Sequence, residues 1–146
     1  MHNEVLENVL ERFLVGLPAA AAKKARTFRP VAEVPLEELG THPDLGERLL
    51  EIGKPLPGVE AGIFYKFFAL RLRAGSIFAL ARGTHMLSFR VGRNQSQVGQ
   101  PDKELGPEWV TLNPWNVEVP TAQWLTELTR VARLAHTFVS EIAASE

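Results

Sequence analysis

Between residues 3 and 16, apolar side chains recur at Val5, Leu6, Val9, Leu10, Phe13 and Leu14, the spacing of one helical face. Glu4, Glu7 and Glu11 occupy its first turns, where the helix dipole favours negative charge. Gly16 and Pro18 end this helix, and Pro18 can open a second short one through the four alanines to Arg26. Residues 29–35 are punctuated by proline and read as a connection. Leu45, Leu49 and Ile52 then form the stripe of a further helix over 43–52, closed by Lys54-Pro55-Leu56-Pro57-Gly58.

The period changes in the middle of the chain. Residues 63–73 are aromatic and apolar, Ala74-Gly75 offers a turn, and 76–82 run extended to a second turn at Gly83. Over 84–91, His85, Leu87, Phe89 and Val91 alternate with Thr84, Met86, Ser88 and Arg90, the period-2 mark of a half-buried strand. Residues 92–107 are polar and rich in turn residues, which predicts a mobile surface loop. Residues 109–112 read as a fourth strand. From Pro120 or Thr121 a last helix carries Trp124, Leu125, Leu128, Val131, Ala135, Phe138 and Val139 on one side.

The pattern therefore predicts one α+β domain over 1–146. Residues 1–55 form a helical N-terminal extension. Residues 56–146 form a four-stranded antiparallel meander with the C-terminal helix on one face.

Composition narrows the chemistry. With 45% hydrophobic and 23% charged residues and a net charge of −1, the chain is an ordinary globular one. The absence of cysteine excludes disulfides, thiol catalysis and cysteine-ligated metals. No apolar run reaches membrane-span length, and the acidic opening is unlike a secretory signal, so a cytoplasmic setting without membrane contact is expected.

Charge is unevenly placed. Between Glu60 and Asp102 there is no acid, yet Lys66, Arg71, Arg73, Arg82, Arg90 and Arg93 all fall there. A second acid-free window contains Lys23, Lys24, Arg26 and Arg29. Arg71 and Arg73 share a strand face, and Arg82 and Arg90 lie on neighbouring strands. These six residues are the candidate anion-binding set, on a basic sheet face that would attract nucleic acid or another anionic partner. Arginine suits that task because its planar fork donates two parallel hydrogen bonds. The blander account is a solvated sheet face neutralised by glutamates from residues 33–51.

Catalytic chemistry finds no motif. There is no nucleophile elbow, no phosphate-cradling glycine loop and no metal-ligand spacing among His2, His42, His85 and His136, so no cofactor is expected and enzymatic activity stays open. His42 precedes Pro43-Asp44 at a helix start and reads as a cap or surface residue. His85 shares a predicted face with Leu87 and Phe89. With Trp109 and Trp115 it makes a candidate small-molecule pocket. Tyr65, Phe67 and Phe68 alternate sides of one predicted strand, which leaves apolar area on the second face for a homodimer contact.

The segments Leu56-Pro57-Gly58-Val59-Glu60, Gly75-Ser76-Ile77-Phe78-Ala79-Leu80, Met86-Leu87-Ser88-Phe89-Arg90-Val91 and Glu108-Trp109-Val110-Thr111-Leu112, with the closing helix, resemble the small YjbR/MmcQ-like domains and the related N-terminal domain of TfoX. The resemblance covers about residues 56–138. It implies an α+β domain and a DNA-binding role. The chain departs from that pattern in its helical N-terminus and in the polar loop over 92–107. A small luciferase-like domain has a comparable order of elements.

Overall fold

The computed structural model describes residues 3–73, 75–93, 101–115 and 121–145. The chain runs through helices α1 (Glu4–Leu10), α2 (Ala19–Ala25) and α3 (Pro43–Gly53), with single 3-10 turns at Glu11–Leu14, Val31–Glu33 and Leu36–Glu38. Six strands follow: β1 (Val59–Phe64), β2 (Phe67–Leu72), β3 (Ile77–Arg82), β4 (Met86–Arg90), β5 (Pro101–Asp102) and β6 (Gly106–Leu112). Helix α4 (Thr121–Ser145) closes the chain. The strands form one antiparallel sheet in the order β1-β2-β3-β4-β6-β5.

The α+β class holds, and four predicted strands become six for two physical reasons. The first is a hairpin at Tyr65-Lys66 that splits the predicted strand 63–73 into β1 and β2, pairing Phe64 with Phe67. Two-residue hairpins normally place glycine or asparagine at such positions, because the backbone must enter positive φ. Here Tyr65 (φ 63°) and Lys66 (φ 151°) do so, and no residue in the pair announces the turn. The second is the strand β5, within the stretch read as a loop; residues 94–100 of that stretch lie outside the described residues, as does the predicted helix start at Pro120. Leu105, between β5 and β6, is buried.

The larger correction concerns the N-terminal helices, which are not an extension. Leu6, Leu10 and Leu14, with Ala22 and Ala25, are buried against Phe64, Phe67, Ile77, Leu80, Leu105 and Trp109 on one face of the sheet. On the opposite face α3 and α4 bury Leu45, Leu49, Ile52, Leu128, Val131, Ala135 and Val139 over Phe68, Leu70, Phe78, Leu87 and Phe89. Tyr65 and Phe67 are therefore covered by their own chain, and β3 is buried at every position. A register shift between Leu70 and Arg71 inserts Phe78 opposite no partner, so Phe78 and Ala79 join the same core layer in succession.

Helix α3 is started by His42, whose Nδ1 accepts a hydrogen bond from the Asp44 amide at 3.1 Å. It can approach the sheet closely because Gly46 has no side chain: a Cβ there would lie 2.5 Å from the Phe68 ring. Leu125 of α4, predicted inside, is exposed.

Candidate functional site

The register divides the six candidate cations between the two ends of the sheet. Lys66 and Arg82 stand at the end of the β1–β2 hairpin and the β3–β4 turn. Arg71, Arg73, Arg90 and Arg93 stand at the other. Arg71, Arg82 and Arg90 do share the parity of one face, but α1 and α2 cover that face. The acids that meet them come from the flanking strands and turns rather than from residues 33–51. Arg71 Nε lies 3.4 Å from Glu60 Oε1 on the directly opposed residue, and its guanidinium stacks 4.0 Å over Phe28. Arg90 pairs with Glu108 at 2.9 Å. Arg73 and Arg93 are exposed.

Arg82 is the most enclosed of the set, its side chain 3% exposed. Its Nη2 donates to Asp102 Oδ2 at 2.8 Å and to Ser88 Oγ at 3.0 Å. Thr111 Oγ1 donates to the same Asp102 oxygen at 2.5 Å, while Oδ1 accepts the Glu104 and Leu105 amides. Burial pushes the Asp102 carboxyl up, but the Thr111 hydroxyl, the Leu105 amide and the Arg82 charge outweigh it, so its pKa is lowered. This network ties β5 to β4 and β6.

The proposed grouping of His85, Trp109 and Trp115 is split as well. His85 is exposed in the β3–β4 turn rather than on a strand face, with Thr84 Oγ1 3.3 Å from its Nδ1. Trp115 lies beside that turn, donating from Nε1 to the Thr84 carbonyl at 2.7 Å under the Arg48 guanidinium. Trp109 is opposite Arg90, at the far end of β4, and is buried. It lines a cavity of about 220 Å³ with Arg90, Arg93, Glu4 and Glu108, where acids match the arginines in number.

A different constellation forms at the β1–β2 hairpin. A cavity of about 320 Å³ lies between α2, residues 37–38 and the hairpin tip. Lys24, Arg29 and Lys66 supply three cations, Glu37 and Glu38 two carboxylates, and Leu17 with Ala20, Ala21 and Ala25 an apolar wall. Arg29 Nη1 reaches Glu38 at 3.3 Å, while its buried Nε has no hydrogen-bond partner among the described residues. Lys24 and Lys66 form no ion pair with a described residue.

Each cation is positioned by a specific local device. Arg29 is fixed by a bridge to β1, with N–H···O contacts of 2.9 and 2.7 Å to Ile63. The bridge requires glycine at position 62, where a Cβ would sit 2.6 Å from the Arg29 carbonyl. Lys66 is presented by the strained hairpin, and its carbonyl accepts the Gly40 amide at 2.7 Å. Non-glycine residues at positive φ cost roughly 1–3 kcal/mol each and persist where surrounding contacts hold them, often at binding sites.

Tyr65 is the principal restraint. Its amide donates to Ala25 at 2.7 Å, and its hydroxyl donates to Glu11 Oε2 at 2.5 Å. Arg26 grips the same carboxylate through Nε and Nη2. Hydrogen bonds from Arg26 and then Tyr65 hold the Glu11 pKa down at about 2. Burial, followed by the Glu11 hydrogen bond and charge, raises that of Tyr65. A raised phenol pKa stabilises the fold below its ordinary value of 10.0, and this contribution is lost as pH rises beyond it. The depressed Glu11 value contributes above the ordinary carboxylate range and is lost as pH falls towards about 2.

Tyr65 is the only tyrosine, so tyrosinate absorbance reads this contact alone. The native protein is expected to show no phenolate at pH 10, and Glu11→Gln to move the titration back towards its ordinary value. Ordinary titration in the native protein would disprove the phenol–carboxylate bond.

No protein-family model, curated protein or solved structure matches this chain, and so none identifies a YjbR-like family. Among the described residues no cluster of histidine and acidic side chains could hold a metal, and no helix is long and apolar enough to cross a membrane. The sequence marked Lys24, Arg29 and Lys66 as residues of two acid-free windows. The bridge and hairpin that join the windows carry no local signal.

Proposed function

We propose that this protein is a binding module for a small organic anion, taken up between α2 and the β1–β2 hairpin by Lys24, Arg29 and Lys66. The observation that carries the reading is the strained hairpin: a fold that holds two non-glycine residues at positive φ presents Lys66 to a cavity already containing Lys24 and Arg29. Two further features support it. The lysines form no direct ion pair with a described residue, and the lining carries three cations to two carboxylates, so an arriving carboxylate or phosphate would meet a net positive charge. The alanine-lined wall suits an apolar body attached to that anion, as in a phosphate monoester or a short carboxylate.

Calorimetric titration with phenyl phosphate and with orthophosphate tests this reading. Saturable binding of phenyl phosphate is expected, tighter than orthophosphate, with millimolar or lower Kd. Lys66→Gln and Lys24→Gln should each weaken it about tenfold, as loss of a charge-assisted hydrogen bond does. Absence of saturable binding in the folded protein would refute the proposal. Short single- and double-stranded DNA form the comparison arm, measured by fluorescence anisotropy across a salt series. Tight, salt-sensitive DNA binding without phenyl phosphate binding would replace the small-ligand reading by a nucleic-acid one.

A further inference from the structure

Lys66 also borders a second cavity on its other side, of about 400 Å³. This one lies between the 3-10 turn at Glu11–Leu14, the hairpin, the β3–β4 turn and the turn joining β5 to β6. Its chemistry is set by Arg12, Lys66, Arg82 and Glu104, with Phe13 and Met86 as apolar lining. Glu104 is the sole acid of the lining. Arg12 Nη2 and Arg82 Nη1 both bond its Oε2, the second at 3.5 Å.

The two guanidiniums differ in a way that matters. Arg82 is held rigidly by Asp102, Ser88 and Thr111, and Asp102 already balances its charge. Glu104 is therefore not needed to neutralise Arg82. Its side chain is 45% exposed, and that of Arg12 is 54% exposed. Ion pairs this open to water add little to stability and exchange readily with solution ions. The arrangement is a carboxylate from the protein's own turn, seated on one enclosed and one exposed guanidinium, with a lysine beside it and open volume around it.

We infer that this cavity is a second anion site, whose resident occupant is the Glu104 carboxylate and whose external ligand is a soluble polyoxyanion of the pyrophosphate class. Such an ion offers oxygens to Arg12 and Arg82 in the position Glu104 takes, and a further anionic group to Lys66. The rigid Arg82 sets the position of the first oxygen. Arg12 and Lys66 close on the rest. A planar fork anchored in place is well suited to bind tetrahedral oxyanions with fixed geometry. The site is separate from the one proposed above, sharing Lys66 alone.

The test is calorimetric titration with inorganic pyrophosphate of the full chain and of Glu104→Gln, Arg12→Gln, the double variant and Lys24→Gln, each checked for cooperative unfolding. Glu104→Gln removes a competing charge and should bind pyrophosphate about fivefold or more tightly than the unmodified chain. Arg12→Gln should weaken binding, and the double variant should lose the gain. Lys24 belongs to the first cavity, so a Lys24→Gln/Glu104→Gln variant should keep the same gain over Lys24→Gln alone. Binding by Glu104→Gln no tighter than by the unmodified protein would overturn the inference, as would a gain that survives in the Arg12→Gln/Glu104→Gln double variant. If Glu104→Gln does not fold, undiminished pyrophosphate binding by Arg12→Gln alone is sufficient to overturn it.

Discussion

Asp102→Ala is expected to lower the unfolding free energy by about 3–5 kcal/mol, the usual cost of stranding one partner of a buried ion pair. The substitution leaves the Arg82 guanidinium with Ser88, Thr111 and the exposed Glu104. It also removes the acceptor of the Glu104 and Leu105 amides, which shape the turn into β6. Urea denaturation measures the loss, and an Asp102→Ala/Arg82→Met double variant separates its causes. Removing both charges should recover much of the stability, because a buried pair replaced by apolar side chains is often neutral. The acid limb gives a second readout. The Asp102 pKa is lowered, so its contribution is present above the ordinary carboxylate range and disappears as pH falls through the depressed value. The variant should lack that part of the acid dependence. A loss under about 1 kcal/mol, the range of exposed pairs, would show that the Arg82 network is not buried as described.

The same network shows what the sequence could and could not disclose. Periodicity located the helices, because Leu6, Leu10, Leu45, Leu49, Leu128 and Val131 recur at helical spacing whichever layer they join. The identity of the layer was not legible. Alternation in β4 marked Ser88 and Arg90 as facing away from Leu87 and Phe89, which suggests water when one face alone is assumed to be covered. The covering helix α1 comes from more than 70 residues away in sequence, as the bond from the Ile77 amide to Asn3 makes plain. For the candidate site, the cations stood out as acid-free runs. Their counter-ions did not, since Glu60, Asp102, Glu104 and Glu108 sit just outside the window and return through strand pairing. Tyr65-Lys66 was hidden for another reason. Local propensity opposes a turn there, and contacts from Glu11, Ala25 and Gly40 impose it.

Leu10→Ala is expected to cost about 2–5 kcal/mol, the range for deleting a large aliphatic side chain from a packed core. Leu10 is fully buried between α1 and the sheet, whereas Val5 on the same helix is 70% exposed. Val5→Ala should stay within about 0.5 kcal/mol. The contrast between the two, measured by urea denaturation, distinguishes a structural layer from an extension. An extension lying off the sheet would give two small values. The distinction also bears on assembly. A homodimer built on the second sheet face needs Phe64, Phe67, Ile77 and Leu80 uncovered, and α1 with α2 already occupies that area. Leu10→Ala loosens the cover without adding charge, so the variant should self-associate more than the unmodified chain, readable by sedimentation. Equal and small effects at Leu10 and Val5 would mean that the helix does not seal the face, and that the apolar surface beneath it is free to receive a second copy.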